Sequence, residues 1–227
     1  MSFQAHRDAW LSEVMARPVF RVDGNGSAAE LPDDVGFYFA KVPTDRIADV
    51  TALTAKGFQL VDTAVTFELT HEVTVTSSVD VRECSDADAA AVLDIAGSAF
   101  RYSRFHLDPA VGQEMAHHVK REWIANYVKK VRGDALLVGF LDGKPAGFLA
   151  ALVSHGTAAI DLVAVATSAH GKGVGSALCA AFAKRYAGMP RVVGTQVVNV
   201  PSIRMYTKLG YELARSQYVL HRHVGAR

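Results

Sequence analysis

The chain predicts an α/β fold built on a mixed α+β sheet, and three stretches carry that expectation. Residues 160–166 are an apolar run that enters a glycine-rich turn, 170–176, and then a helical segment reaching about Tyr186. A second apolar run, 192–198, leads through Asn199-Val200-Pro201 into a short helical segment and a Gly210-Tyr211 step. Ahead of both, 135–141 and 146–153 read as strands joined by Asp142-Gly143-Lys144, a tight hairpin turn. Hairpins followed by β-α-β-α-β make a mixed layer fold. At 227 residues the chain exceeds the roughly 150 that one such fold needs. A smaller N-terminal α/β unit, 1–77, is therefore expected beside a main domain, 78–227.

Taken in order, Asn25-Gly26-Ser27 marks a loop, 35–42 reads as a strand, and 45–56 as a helix stopped by Gly57. Phe58, Leu60, Val65, Phe67 and Leu69 fall at mostly alternate positions and predict a long strand over 58–69. The polar stretch 71–78 is the expected boundary. Residues 79–84 read as a strand, and Asp86 as the N-cap of a helix through Ala96. Asp108-Pro109 predicts a long helix to about Val131, with the carboxylate capping and the proline in the first turn. The last strand ends near His221.

One internal echo stands out. Val42-Pro43-Thr44 and Gly57-Phe58 bracket a helical segment much as Val200-Pro201-Ser202 and Gly210-Tyr211 do. Residues 1–77 can thus be read as a truncated half-copy of the main domain without a glycine loop. Shared helix start and stop rules would also converge on this pattern.

Gly171, Gly173 and Gly175 alternate ahead of a helix. They allow a tight turn without Cβ clashes and leave successive N–H groups unpaired at the positive end of the helix dipole, a setting that favours a phosphate anion. A Walker loop would need four residues between its first glycine and Gly-Lys-Ser/Thr, but Gly173 is followed by Val174. The dinucleotide fingerprint would need a glycine where Leu178 stands.

What remains resembles the acetyl-CoA loop of the GCN5-related N-acetyltransferases, and the block from Asn199 to Tyr211 resembles that family's second signature. The resemblance implies an acyltransferase fold and acetyl-CoA as cosubstrate. It places the pyrophosphate on His170, Gly171, Lys172, Gly173, Val174, Gly175 and Ser176, with His170 where the family usually has Arg or Gln. It also pairs the backbone of Leu162, Val163, Ala164 and Val165 with the pantetheine arm, as an added strand would. Tyr206 matches the family's tyrosine beside the thioester sulfur and is the candidate general acid. Asn199 and Ser202 are expected at the coenzyme arm, with an N-cap as the alternative role for Asn199. Asp161, His155 and Glu68 are the candidate bases.

Arg101, Tyr102, Ser103, Arg104, Phe105 and His106 precede the long helix, where the family places acceptor contacts. Their aromatic faces and arginine forks suit a sugar or base carrying phosphate, although a packed lead-in to a helix would use similar residues. This block, 57–63 and 194–199 together resemble the TDP-4-amino-sugar acetyltransferases, such as those acting on TDP-fucosamine. An amino acid or another small amine is the alternative acceptor. A protein that binds acetyl-CoA without catalysis is the alternative class.

A net charge of +1 and no Lys/Arg run longer than two residues give a nucleic-acid or membrane-surface role no support. His6, Arg7 and Asp8 interrupt any apolar signal core, and the apolar runs are too short to cross a bilayer, so a cytoplasmic protein is expected. Cys84 and Cys179 have no metal or redox spacing, His117-His118 has no third ligand, and no metal is expected. A homodimer is expected on the ground that a small N-terminal unit would otherwise expose apolar β surface.

Overall fold

In the computed structural model, which describes residues 2–73 and 77–225, ten strands form one sheet. They are β1 (Phe3–Arg7), β2 (Val19–Gly24), β3 (Gly36–Pro43), β4 (Gln59–Leu69), β5 (Asp80–Glu83), β6 (Ala135–Leu141), β7 (Lys144–Ser154), β8 (Thr157–Val165), β9 (Arg191–Gln196) and β10 (Glu212–Val224). The helices are α1 (Ala9–Val14), α2 (Ile47–Ala55), α3 (Ala89–Ala96), α4 (Gln113–Val128), α5 (Val174–Arg185) and α6 (Val200–Lys208). None is long and apolar enough to cross a membrane.

The strand order is β1-β2-β3-β10-β4-β9-β8-β7-β6-β5. The units β3-α2-β4 and β9-α6-β10 thus interdigitate, each lending its last strand to the other. Val65 pairs with Ser216 of β10 on one side and with Thr195 of β9 on the other. Parallel pairs β2/β3 and β8/β9 flank this centre. Strands from both sides of the expected boundary therefore share one sheet; within the boundary stretch 71–78, residues 74–76 lie outside the described residues.

Side-chain alternation splits the core between the two faces. Val65, Phe67 and Leu69 of β4 pack with α5 and Tyr206 of α6, while Tyr38, Ala40 and Val42 of β3 pack with Leu53 of α2. On the opposite face Phe37 and Phe39 pack with α1, Phe105 and the start of α4. Val92, Ile124 and Tyr127 of α3 and α4 cover Val138, Phe148 and Leu162 there. Most apolar residues of the N-terminal strands pack within the chain, while Leu60 of β4 stays exposed.

The structure corrects several boundaries. The long helix begins at Gln113, not at Asp108, because both Asp108 oxygens are engaged outside the helix and Gly112, at φ 78°, is the N-cap. Ser85 rather than Asp86 caps the next helical stretch, through a reciprocal capping box with Asp88. Strand β9 stops at Gln196, where Asn199 N–H bonds the Gln196 carbonyl in a turn. Elements β1, α1 and β2 had no sequence expectation: β1 is mostly polar, and α1 spans 6 residues, too short to show a period.

Candidate functional site

The site begins where two parallel strands part. Strand β8 pairs with β9 only at Ala158, Ala159 and Ile160, yet it runs on to Val165. Leu162, Val163, Ala164 and Val165 therefore keep their hydrogen bonds to β7 on one edge and have no strand on the other. A β-bulge at Asp161, between the pairs Ala150/Leu162 and Ala151/Ile160, accompanies the parting. It changes which face each residue meets: Ile160 joins the α5 side, and Leu162 the α4 side.

Asp161 turns to the α4 side with it. One of its oxygens accepts from Trp123 Nε1 at 2.9 Å, Tyr127 Oη at 2.7 Å and Arg132 Nε at 2.9 Å. Burial would raise this carboxyl, but these donors outweigh it and hold it below the usual range. A carboxylate so held is an anchor, and the structure corrects the expectation of a base here. His155 sits exposed in the β7/β8 turn at φ 49°, at the far end of β8 from the glycine loop. Glu68 lies beside Glu212 in the β4/β10 register, away from the parting.

After β8 a single 3-10 turn, Thr167–Ala169, leads into the glycine loop. Gly171 (φ 76°) and Gly173 (φ 81°) are left-handed, conformations that side-chain-bearing residues rarely take. The first helical bond of α5 runs from Ala177 N to Gly173 O at 3.0 Å. Among the described residues, the N–H groups of Gly171, Gly173, Val174, Gly175 and Ser176 donate to no backbone carbonyl. The imidazole of His170 turns back, with Nε2 3.1 Å from the Val165 carbonyl, and Lys172 is exposed at the rim. An anion placed here would meet chiefly main-chain donors.

The loop and the second signature meet. A Cβ on Gly175 would stand 2.9 Å from Met205 Sδ, so α6 packs directly on the first turn of α5. The next residue, Tyr206, is buried with Phe67, Cys179 and Tyr211, and its phenol has no hydrogen-bond partner among the described residues. Burial drives its pKa well above 10 and keeps it protonated. Asn199 caps α6 through Ser202 N at 3.4 Å and gives its amide hydrogen to Thr195 Oγ1 at 3.0 Å. The capping role is thus the one its side chain fills.

On the opposite face three cationic side chains, Lys41, Arg104 and Lys120, lie close enough to influence one another. Lys41 on β3, Val219 on β10 and Asp62 on β4 lie side by side in the register and share that face. Lys41 is exposed by its accessible surface, although the packing around it and then the Arg104 charge lower its pKa. Lys120 of α4, over the rings of Phe100 (4.9 Å) and Trp123 (5.1 Å), is lowered to about 7 by burial, then by Arg104 and Lys41. Asp62 is buried with one carboxyl oxygen unpartnered among the described residues. Its pKa is raised to about 6 by burial, against the pull of Thr63 N–H and Lys41. That value suits a proton acceptor near neutral pH.

The six residues from Arg101 to His106 divide. Arg104 joins the cationic group, with its guanidinium 3.9 Å from the Phe39 ring and 4.2 Å from Phe105. Phe105 is buried in the core beneath it. Ser103 Oγ and His106 Nδ1 are 2.6 Å apart and both buried, and His106 Nε2 faces His117 Nδ1 at 3.1 Å, so this pair builds the loop. Arg101 bonds the Ser98 carbonyl at 2.8 Å, and Tyr102 is exposed. Asp62 had no expected role, although a signal existed: the apolar positions of β4 change parity between Leu60 and Val65, which marks the bulge beside Asp62.

Comparison with known proteins agrees with this geometry. Over 137 residues the chain is 28% identical to the spore coat polysaccharide biosynthesis protein SpsD of Bacillus subtilis (strain 168), covering 59% of this chain and 47% of that protein. The chain thus spans about half the length of this curated relative. A GCN5-related N-acetyltransferase from Sphaerobacter thermophilus has a TM-score of 0.63 at 12% identity, covering 85% of this chain and 61% of that one. Another from Kribbella flavida has a TM-score of 0.58 at 17% identity over 90% and 81% of the two chains, and a tandem GNAT protein from the clavulanic acid pathway scores 0.59 at 13% identity over 92% and 76%. These likenesses show the fold. Residues 91–211, more than half of the chain and the part that holds the parted strands, the glycine loop and Tyr206, match the acetyltransferase (GNAT) family, and the chain belongs to that family.

Proposed function

We propose that the protein transfers the acetyl group of acetyl-CoA to a primary amine, the amino group of a nucleotide-linked amino sugar. The observation that carries this reading is the parting of β8 from β9 after Ile160, which leaves the Leu162–Val165 edge of β8 without a strand beside it. The free N–H groups of Gly171, Gly173, Val174, Gly175 and Ser176 suit the donor's pyrophosphate. The unpaired edge of Leu162–Val165 suits its pantetheine amides, and an N–H there can meet the developing oxyanion.

The proton inventory assigns the remaining roles. Asp62, on the face opposite Tyr206, takes a proton from the acceptor's ammonium, directly or through water. The freed amine attacks the thioester carbonyl, its nitrogen gives a second proton to water, and the carbon–sulfur bond breaks. Tyr206, on the donor face, gives its proton to the departing thiolate and regains one from solvent. The burial that holds the phenol protonated also raises the proton affinity of a thiolate formed beside it.

Support for the acceptor class comes from the excess of positive charge on Lys41, Arg104 and Lys120, which suits a diphosphate, and from the polysaccharide-biosynthesis relative. The half-copy reading of 1–77 is supported by the interdigitated sheet: β2-β3-α2-β4 repeats the order β8-β9-α6-β10, with no helix between β2 and β3. That unit would enclose the acceptor through Lys41 and Asp62. Thiol release from acetyl-CoA, assayed with TDP-linked amino sugars and with amino acids, tests the proposal. Release only with the sugars is expected; release only with amino acids would exclude the sugar assignment.

A further inference from the structure

A buried hydrogen-bond network ends on Arg104. The β3/β10 register sets Phe37 opposite His223 and Phe39 opposite His221. Asp108 Oδ2 lies 2.6 Å from His221 Nδ1 and 2.8 Å from His223 Nε2, while its other oxygen accepts Ala110 N–H at 2.9 Å. The far imidazole nitrogens face guanidinium groups: His221 Nε2 is 3.2 Å from Arg104 Nη1, and His223 Nδ1 is 3.2 Å from Arg17 Nη2. Arginine can only donate, so both far nitrogens accept and both near nitrogens carry the hydrogen given to Asp108. The chain of donors runs Arg104 to His221 to Asp108, and Arg17 to His223 to the same oxygen.

This trio has the composition of a metal site but not its geometry. Ligand atoms bound tetrahedrally at zinc distances stand about 3.3 Å apart. The separations here are those of hydrogen bonds, and guanidinium groups on the outer nitrogens oppose a divalent cation. Stability alone is also a weak reason for the network, since a buried ionic cluster is often no better than apolar packing. Its one member beside Lys41 and Lys120 is Arg104, whose guanidinium carbon also lies 3.9 Å from the Phe39 ring centroid and 4.2 Å from that of Phe105. Lys120 lies over the rings of Phe100 and Trp123, a contact without the directional imidazole partner that Arg104 has.

We propose that Asp108, His221, His223 and Arg17 are positioning residues that preset the Arg104 guanidinium as the docking group for an anionic part of the acceptor. This rests on the amine-acetylating reading above. Fixing an arginine before binding reduces the side-chain entropy lost when an oxyanion docks.

The tautomers are tested first, by 15N NMR of the imidazoles at neutral pH: His221 should carry its hydrogen on Nδ1 and His223 on Nε2, and the opposite tautomer in either would remove the network. Docking is then tested by TDP binding to protein saturated with CoA. Arg104→Gln should weaken TDP about tenfold or more, His221→Leu by a similar factor, and His221→Gln, whose amide can accept from Arg104 and donate to Asp108, should restore most of it. In the Arg104→Gln background, His221→Leu should add less than twofold, because it acts only through Arg104; additive losses would overturn the positioning role. If His221→Leu fails to fold, Asp108→Asn enters the same cycle with the same expectation. A wild-type protein that binds acetyl-CoA but not TDP would overturn the docking role and leave acetyl transfer standing.

Discussion

Gly175 lies so close to Met205 that a Cβ on the glycine would come within 2.9 Å of the methionine sulfur. The contact couples the loop proposed to take the donor's phosphates to the helix turn that carries Tyr206. The flexible thioether can move aside, so Gly175→Ala should change stability little. It should slow transfer, because the displaced residue is the immediate neighbour of the proposed general acid. Gly147 is the contrast: its Cβ would meet the Ala164 carbonyl oxygen at 2.8 Å and Val174 Cγ1 at 2.9 Å. Backbone cannot yield as a thioether does, so Gly147→Ala should cost about 1–3 kcal/mol. Chemical denaturation of both variants, beside their turnover, checks the difference.

Tyr206→Phe should separate chemistry from folding. The phenol makes no hydrogen bond among the described residues, so its removal should leave the denaturation midpoint nearly unchanged. A lost general acid lowers kcat by about 100- to 10,000-fold. Full kcat in the variant would show the tyrosine to be a packing residue.

Asp62→Asn carries a pH signature. The folded carboxyl titrates at about 6, above the ordinary value near 4, so its protonated form is the one that suits the fold. Its contribution to stability is therefore complete below pH 4 and is lost as pH rises through 6. The asparagine variant should be the more stable protein at pH 7, by about 1–2 kcal/mol after allowance for solvent screening. The advantage should shrink as pH falls from 6 to 4. Transfer should weaken, and the acidic limb of kcat/KM near pH 6 should disappear. Denaturation at several pH values and a pH–rate profile read both effects, and an unchanged limb would exclude Asp62 as the base.

Asp161→Asn should behave oppositely. The carboxylate that receives Trp123, Tyr127 and Arg132 is held charged, and losing that charge should destabilise the fold by about 2–3 kcal/mol. Transfer by the protein that remains folded should keep its pH profile. Activity normalised to the folded fraction, read by circular dichroism, distinguishes an anchor from a base.

Local rules made much of this legible. The glycine spacing before α5, the turn Asp142-Gly143 and the block from Asn199 to Tyr211 each announce themselves within a dozen residues, and β6, β7, α5 and α6 form where those signals stand. The site's other half is built by pairing over long separations. Lys41 and Asp62 become neighbours only because β10 lies between their strands, and Arg104 meets His221 across 117 positions. No period or cap encodes such contacts. Asp108-Pro109 misled for the same reason: the aspartate has the look of a helix cap, but two imidazoles from the end of the chain claim its side chain.

The proposed reaction requires main-chain amides to grip the donor's pyrophosphate. Titration of 15N-labelled protein with acetyl-CoA is the decisive measurement. Large, saturable shifts are expected at the N–H groups of Gly171, Gly173, Val174, Gly175 and Ser176, joined by Leu162–Val165. Shifts confined to other segments, or none at millimolar acetyl-CoA, would contradict it.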